Sequence, residues 1–187
     1  MVVPRPGSER KAPSGAEVVL GDALDGDSFA GRVQPCDTLV HLVGVSHPAP
    51  WKANLFRAVD LVSVKASLDA ARAARIRHFV YVSVAHPAPV MKAYIAVREE
   101  CEELVRRSRL DATILRPWYV LGPGHRWPYV LWPAYWIAER IPLTRAGARR
   151  LGLVSLRQMT ERLLWAVRNP CRGVRVLEVE DIRRGAL

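Results

Sequence analysis

The sequence predicts an α/β protein in which a parallel sheet is flanked by helices. Apolar runs of strand length alternate along the chain with amphipathic stretches of helical length, and these runs are apolar almost throughout. Strands buried on both faces have this composition, and they occur in parallel sheets whose crossover connections are helices. The length of 187 residues, half of them apolar, suits one domain with a sizeable core.

The predicted elements follow one another in a regular order. The strands are expected at residues 17–20, 38–43, 78–84, 112–115 and 174–179. A capping signal at residues 25–29 predicts a short helix, and apolar residues at helical spacing predict longer ones at 55–75, 93–108 and 156–167. Residues 126–143 are aromatic and broken by prolines, so no regular element is predicted there.

Composition excludes several classes of protein. No apolar run reaches the roughly 18–20 residues of a membrane span, and the first fifteen residues lack the apolar stretch of a secretory signal. Cys36, Cys101 and Cys171 have neither metal-binding nor redox spacing, so we expect reduced thiols, a cytoplasmic protein and no metal. The net charge of +10 comes mainly from arginines spread along the chain, which makes nucleic acid an unlikely partner.

One ionisable pair suggests chemistry. Tyr94 and Arg98 are four residues apart in a predicted helix and therefore share a face. A cation beside a phenol favours the phenolate, which makes the pair a usable acid and base. Ser83, at the end of the preceding strand, is placed to orient a carbonyl or hydroxyl group. The pair predicts interconversion of an alcohol and a ketone, although a tyrosine and an arginine at this spacing also occur by chance.

Longer segments carry a family resemblance. The segments, in chain order, are VVLGDALD, TLVHLVG, AVDLVSVKASLDAARAARIRHFVYVSV, YIAVR, TILRPWYVLGPG and LVSLRQMTERLLWAVRNP. Together they resemble the short-chain dehydrogenase/reductase superfamily, and most closely its extended and atypical branch of NAD-dependent epimerase/dehydratase-like proteins. The resemblance covers residues 2 to about 183. It implies a Rossmann-like fold that forms one NAD(P)-binding domain over residues 1–187, with residues 125–155 as a substrate-lid-like insertion.

The resemblance also implies roles for particular residues. Tyr94 would be the general acid/base, Arg98 would hold the nicotinamide ribose and lower the pKa of Tyr94, and Ser83 would assist. The cofactor-binding residues that it implies are Asp22, Leu42, Val43 and Gly44 on the adenosine side and Pro117, Trp118, Tyr119 and Val120 beside the nicotinamide. Arg5 falls where members that prefer NADP place an arginine, so the cofactor is NAD or NADP, with NADP slightly favoured.

Three departures from the family pattern limit what the resemblance implies. Arg98 stands where the family has a lysine, and it cannot relay a proton as an ammonium can. The serine usually assigned to catalysis aligns with Val84, one residue after Ser83. The first strand and its glycine-rich turn are absent, so we expect an N-terminally truncated Rossmann-like sheet in which the edge of residues 38–43 is unpaired. A start upstream of Met1, a fragment or a degraded copy would explain this pattern; alternatively, the remaining strands close the gap.

Two functions stay open on the sequence alone. The first is an NAD(P)-binding oxidoreductase or nucleotide-sugar-epimerase-like enzyme acting on a small-molecule substrate. The alternative is a non-catalytic binding or assembly protein, similar in kind to the dehydrogenase-like accessory subunit of respiratory complex I, or an inactive fragment. The aromatic residues at 126–143 have three interpretations: a substrate lid, a contact in a homo-oligomer, or a surface that touches a membrane peripherally.

Overall fold

The computed structural model describes residues 1–4, 7–122, 130 and 132–184, and for residues 132 and 134 the backbone alone. The strands are β1 (Thr38–His41), β2 (His78–Val82), β3 (Asp111–Leu115), β4 (Tyr119–Leu121), β5 (Leu153–Ser155) and β6 (Val174–Leu177). The helices are α1 (Asp27–Ala30), α2 (Ala53–Leu55), α3 (Val62–Ala73), α4 (Lys92–Arg107), α5 (Trp132–Ala138), α6 (Pro142–Arg150), α7 (Leu156–Arg168) and α8 (Val179–Arg183). Short 3₁₀ helices cover Glu9–Lys11 and Pro50–Lys52, and a π-helix covers Phe56–Leu61.

The main sheet confirms the predicted fold class. Its strands are all parallel and run in the order β1–β2–β3–β6. Alternate side chains of β2 enter two different apolar cores, because successive residues of a strand point to opposite faces. Phe79 and Tyr81 pack in one core with α3 and α4, whereas Val80 packs in the other with α7 and α8. The sheet is therefore covered by helices on both faces.

The predicted helix over residues 55–75 is interrupted. It begins as α2, continues as the π-helix and ends as α3. A π-helical turn holds an extra residue, so the side chains that follow shift around the helix axis. Asp60 lies in this turn with no exposed surface, and its Oδ2 accepts a hydrogen bond from Val45 N at 3.2 Å. The interruption thus brings a carboxylate beneath the carboxyl ends of the strands.

The other predicted elements differ from the structure mainly at their ends. Helix α4 begins after Met91, which has a left-handed backbone (φ 56°), and Tyr94 lies in the first turn of the helix. The sequence did not predict β4, β5 or α8, which are three to five residues long. Strands β4 and β5 pair in parallel as a separate two-stranded sheet. Part of the aromatic segment at residues 126–143 forms α5 and the start of α6.

The N-terminal residues form little of the expected strand structure. Residues 17–20 contribute one parallel bridge, between Val2 and Val18, instead of a strand. Strand β1 is an edge of the four-stranded sheet, as the sequence predicted. A cavity of about 360 Å³ separates Val2 and Val3 from β1. Apolar side chains near that edge, such as Val40 and Leu42, are partly exposed.

Candidate active site

A cavity of about 550 Å³ opens where three strands of the main sheet end. Leu42 follows β1, Ser83 and Val84 follow β2, and Pro117 follows β3 by two residues. Open α/β sheets bind ligands beyond the carboxyl ends of their strands. The full lining consists of Leu42, His47, Pro48, Val82, Ser83, Val84, Met91, Tyr94, Arg98, Pro117, Trp118, Tyr119 and Val120. The position and chemistry of this cavity make it the candidate active site.

Tyr94 and Arg98 meet on the wall of the cavity. The Nε of Arg98 donates a hydrogen bond to the Tyr94 hydroxyl oxygen at 3.0 Å. The edge of the Tyr94 ring packs against Phe56, with the ring centroids 5.0 Å apart. Because Arg98 donates to the phenol oxygen, the hydroxyl hydrogen of Tyr94 remains available for a second acceptor. The i, i+4 spacing therefore produces the contact that the sequence predicted.

The charge of Arg98 does not make Tyr94 acidic overall. Burial raises the pKa of Tyr94, and the nearby Arg98 guanidinium lowers it by less, so the pKa is above its ordinary value. The phenol is consequently protonated at neutral pH. The sequence predicted that Arg98 lowers the pKa of Tyr94. The charge of Arg98 does act in that direction, but the effect of burial is larger.

Arg98 is buried and holds several partners at once. Its Nη1 donates to the Tyr81 hydroxyl at 3.0 Å and to the Val82 carbonyl at 3.1 Å. Its Nη2 lies 2.8 Å from Oδ1 of Asp60, and both members of this ion pair are buried. A guanidinium has five N–H groups in a fixed plane. Together with the hydrogen bond to Tyr94, these contacts engage four of the five. The arginine thus joins β2, α4 and the π-helix under the cavity.

Gly44 completes this packing. A Cβ at residue 44 would overlap Nη2 of Arg98 and would lie 3.0 Å from Oδ1 of Asp60. A side chain at this position would therefore displace the buried ion pair. The sequence-based role of Gly44 beside the cofactor is still a prediction, and the structure adds a packing reason for a glycine.

Ser83 lies beside a second buried charge network. Its Oγ is buried and makes no hydrogen bond of ordinary length and angle. It is nevertheless close enough to Glu102 to contribute to the low pKa of that carboxyl. Burial alone would raise the pKa of Glu102, but hydrogen bonds from His86 and Arg116 hold it well below its usual range. Arg116 contacts both oxygens of Glu102, at 2.9 and 2.5 Å, and also Glu178 at 2.7 Å.

The structure brings most of the predicted site residues to this cavity. Its lining includes Ser83, Tyr94, Arg98, Leu42, Pro117, Trp118, Tyr119 and Val120. Val43 lines the smaller cavity beside β1, and Asp22 is exposed and accepts a hydrogen bond from Leu24 N. Arg5 lies outside the described residues. The roles assigned to all these residues are still predictions, because position alone does not test them.

Sequence reasoning missed several contributors. His47, Pro48 and Met91 line the cavity but carry no motif. Asp60 and Tyr81 hold Arg98, yet they are separated from it by 38 and 17 residues in the sequence. In the sequence, Tyr81 is indistinguishable from the apolar residues of the buried strand around it. In the sequence, Arg98 lies one helical turn after Tyr94 and Ile95, and this place on the apolar face was a signal that it needed internal partners.

Two features are absent from the described part of the chain. It contains no group of three His, Cys, Asp or Glu side chains that could hold a metal ion. Among the described residues, no helix combines the length and apolar content that crossing a bilayer requires.

Comparison with known proteins identifies the family. Residues 3–127 match the NAD(P)H-binding domain family, so the chain belongs to that family. The ceramide reductase of Caulobacter vibrioides is 26% identical over 170 residues, which are 90% of this chain and 51% of the reductase. The chain therefore spans about half the length of this curated relative.

Solved structures confirm the Rossmann-like fold. A short-chain dehydrogenase/reductase superfamily protein from Agrobacterium tumefaciens, with NAD bound, matches 89% of this chain and 68% of its own, with a TM-score of 0.63 and 21% identity. The enzyme WbmH of Bordetella bronchiseptica, in complex with NAD⁺, matches 89% and 61%, with a TM-score of 0.64 and 17% identity. The UDP-N-acetylglucosamine 4-epimerase of Bacillus cereus matches 89% and 66%, with a TM-score of 0.64 and 16% identity. The fold that the resemblance implied is thus confirmed.

Proposed function

We propose that the chain is an NAD(P)-dependent oxidoreductase or epimerase-like protein of the short-chain dehydrogenase/reductase type, acting on a small-molecule carbonyl or alcohol. One observation carries the proposal beyond the family assignment: Tyr94 lines the cavity, and its hydroxyl accepts a hydrogen bond from a buried cation, Arg98. This arrangement orients a phenol as a proton donor toward the cavity. A cytoplasmic location is part of the proposal and rests on composition.

The cavity suits the nicotinamide end of the cofactor. Ser83 lines its wall, and the Ser83 hydroxyl makes no hydrogen bond of ordinary length and angle, although it lies near Glu102. A polar group of a ligand could offer it a better-aligned partner. Pro117, Trp118 and Val120 supply an apolar side on which a flat ring can lie. When bound, the cofactor supplies the hydride. The preference for NADP over NAD is also part of the proposal and rests on Arg5 in the sequence.

Proton transfer falls to Tyr94. Because burial keeps its pKa above the ordinary value, the phenol is protonated at neutral pH and is suited to donate to an oxygen that gains negative charge. Arg98 stabilises the phenolate that remains after the transfer, since its Nε donates to the same oxygen. These protonation states favour carbonyl reduction near neutral pH. The name of the Caulobacter relative, a ceramide reductase, supports reduction over epimerisation and a lipid-like substrate.

A second candidate function also has support. Arg98 contacts Tyr94 as well as Tyr81, Val82 and Asp60, and these four contacts leave one of its five N–H groups for a ribose hydroxyl. A cation engaged in this way is well suited to hold the fold together and less suited to bind a cofactor. This observation favours a non-catalytic protein that uses an NAD(P)-binding fold for binding or assembly.

The experiment begins with cofactor binding. The melting temperature is measured with NADH and NADPH at millimolar concentration, and an unchanged value with both would contradict the proposed enzyme. NAD(P)H oxidation is then followed by its absorbance with an activated diketone, such as phenanthrenequinone, as the probe substrate. Tyr94→Phe keeps the ring against Phe56 but removes the proton, so turnover falls by about 100-fold or more while cofactor binding persists.

Tyr135→Phe serves as the matched control, because it removes a phenol that does not line the cavity. Its turnover stays within about threefold of the parent chain, since it gives up no proton to the substrate. Cofactor binding without turnover in the parent chain, and without any difference in Tyr94→Phe, would support the non-catalytic function.

A further inference from the structure

The segment that follows the cavity wall exposes apolar side chains that a folded protein usually buries. Leu143 is 93% exposed and Val130 is 82% exposed. Trp136, Ile137 and Ile141 are each about half exposed. All five belong to α5, to the start of α6 or to the residues next to them. Several large apolar side chains exposed within one short segment indicate a surface that contacts a membrane or another molecule. We call these residues and the arginines described next the α5–α6 surface.

The same segment also carries arginines. The sequence from residue 140 to 150 contains no aspartate or glutamate, and its cations are Arg140, Arg145, Arg149 and Arg150. Arg149 lies 3.7 Å from Glu180 of α8, so the arginines free to meet another partner are mainly those nearer α5. Glu139, immediately before this stretch, is paired with Arg183 at 2.8 Å. The guanidinium of Arg140 lies 3.5 Å from the centre of the Trp136 ring. Arginine and tryptophan are therefore presented together beside the exposed aliphatic residues.

We propose that the α5–α6 surface binds the face of an anionic phospholipid bilayer. Tryptophan prefers the depth of the headgroups, arginine pairs with lipid phosphates, and aliphatic side chains gain by entering the boundary of the acyl chains. An acidic protein surface would satisfy the arginines but would offer Leu143 and Val130 no hydrocarbon. The combination of charge and aliphatic exposure therefore favours the bilayer.

This docking is independent of catalysis and extends beyond the proposed function. Tyr135, in α5, interacts with Trp118 of the cavity wall. Docking through α5 would accordingly hold the candidate active site close to the membrane. A substrate that resides in the bilayer would then reach the cavity without crossing much water.

The test is co-sedimentation of the full chain with two kinds of vesicle. One kind is phosphatidylcholine alone, and the other contains about 30 mol % phosphatidylglycerol. Binding to the anionic vesicles is expected to be at least about tenfold stronger, because each arginine near the surface contributes about fivefold. Arg145→Gln reduces the binding by about fivefold. Brominated acyl chains, which quench only inserted tryptophans, should quench the emission of the parent chain.

Variants of exposed apolar residues distinguish insertion of side chains into the bilayer from attraction of the arginines to anionic lipids. Trp136→Ala reduces both vesicle binding and bromine quenching by about fivefold or more. Trp51→Ala is the matched control, because Trp51 is highly exposed but lies in the short 3₁₀ helix before α2. It should bind vesicles as the parent chain does.

Several results would overturn the proposal. One is the absence of binding to anionic vesicles, and another is an equal loss of vesicle binding in Trp51→Ala and Trp136→Ala. A third is vesicle binding that is unchanged in Trp136→Ala and is abolished by salt. The last result would indicate a purely electrostatic partner, such as an acidic protein. A stable dimer that Leu143→Glu dissociates, together with no vesicle binding, would instead assign the surface to a second copy of the chain.

Discussion

The guanidinium of Arg98 lies 2.8 Å from the carboxylate of Asp60, and both charges are buried beneath the candidate active site. The same guanidinium donates to the hydroxyl of Tyr94. One cation therefore has two tasks: it neutralises a buried carboxylate and it contacts the proposed proton donor. Substitutions at this position affect stability and chemistry together, so the two effects need variants that separate them.

Arg98→Lys should destabilise the chain. An ammonium has three donors on one nitrogen and cannot reach Tyr94, Tyr81 and Asp60 simultaneously, so a buried carboxylate or hydroxyl loses its partner. The free energy of unfolding is expected to fall by about 3 kcal/mol, the usual effect of breaking a buried ion pair. Urea unfolding followed by circular dichroism measures it.

The double variant Arg98→Lys with Asp60→Asn isolates the ion pair. Asparagine removes the charge that the lysine leaves poorly compensated, so the double variant should be more stable than the sum of the two single effects predicts, by at least about 1 kcal/mol. Additive losses would mean that Arg98 and Asp60 do not depend on each other, contrary to their contact in the structure.

Gly44→Ala tests the close packing of the backbone at residue 44 against the ion pair of Arg98 and Asp60. The added methyl group would overlap Nη2 of Arg98, so the pair or the backbone must move. We expect a loss of about 1–3 kcal/mol in the free energy of unfolding. Gly147→Ala is the matched control: Gly147 lies inside α6 with open space around it, and alanine should stabilise the helix by up to about 1 kcal/mol. Equal effects of the two variants would contradict the close packing at Gly44.

Glu102→Gln tests the second buried network. The substitution leaves Arg116 without one of its two carboxylates and removes a charge that also pairs with Arg106 at 2.9 Å. We expect the free energy of unfolding to fall by about 3 kcal/mol. The neighbouring Glu103→Gln breaks an exposed pair with Arg107 and should change stability by less than about 0.5 kcal/mol. Chemical unfolding of both variants under one condition provides the comparison.

The sequence predicted the features that depend on local pattern. Continuous apolar runs predicted β1, β2 and β3, and the 3.6-residue spacing predicted α4 and α7, because burial imposes these patterns on the residues themselves. The pairing of Tyr94 with Arg98 followed from the geometry of one helix. The order of motifs then identified the family, which the comparisons confirm.

Features that depend on distant residues could not be predicted. The π-helix at Phe56–Leu61 is explained by the contact that Asp60 makes with a side chain 38 residues away, and no local periodicity encodes this. Strands β4 and β5 are three residues each and pair across 34 residues, so their backbone hydrogen bonds depend on tertiary structure. The burial of Tyr81 beneath the cavity likewise follows from the packing of α4 on β2.

His41 should make stability depend on pH. Burial, followed by the positive charge of Arg98, lowers the pKa of His41 to about 3, and its Nδ1 hydrogen-bonds with the Ser67 hydroxyl at 2.9 Å. In the unfolded chain the imidazole has a pKa of about 6.5, so between these values the unfolded state binds a proton that the folded state does not. The stability that His41 contributes is therefore present above about pH 6.5 and is lost as the pH falls toward about 3.

The measurement is the slope of the unfolding free energy against pH between about 6.5 and 4.5, where most carboxylates remain charged. His41 should account for a loss of about 2–3 kcal/mol over this interval, because each pH unit below the unfolded pKa contributes about 1.4 kcal/mol. Burial also lowers the pKa of His78, so the slope of the parent chain includes a contribution from that residue. His41→Gln should flatten the slope even if its stability at neutral pH is lower. A slope that is the same in His41→Gln and in the parent chain would show that His41 is protonated in the folded state.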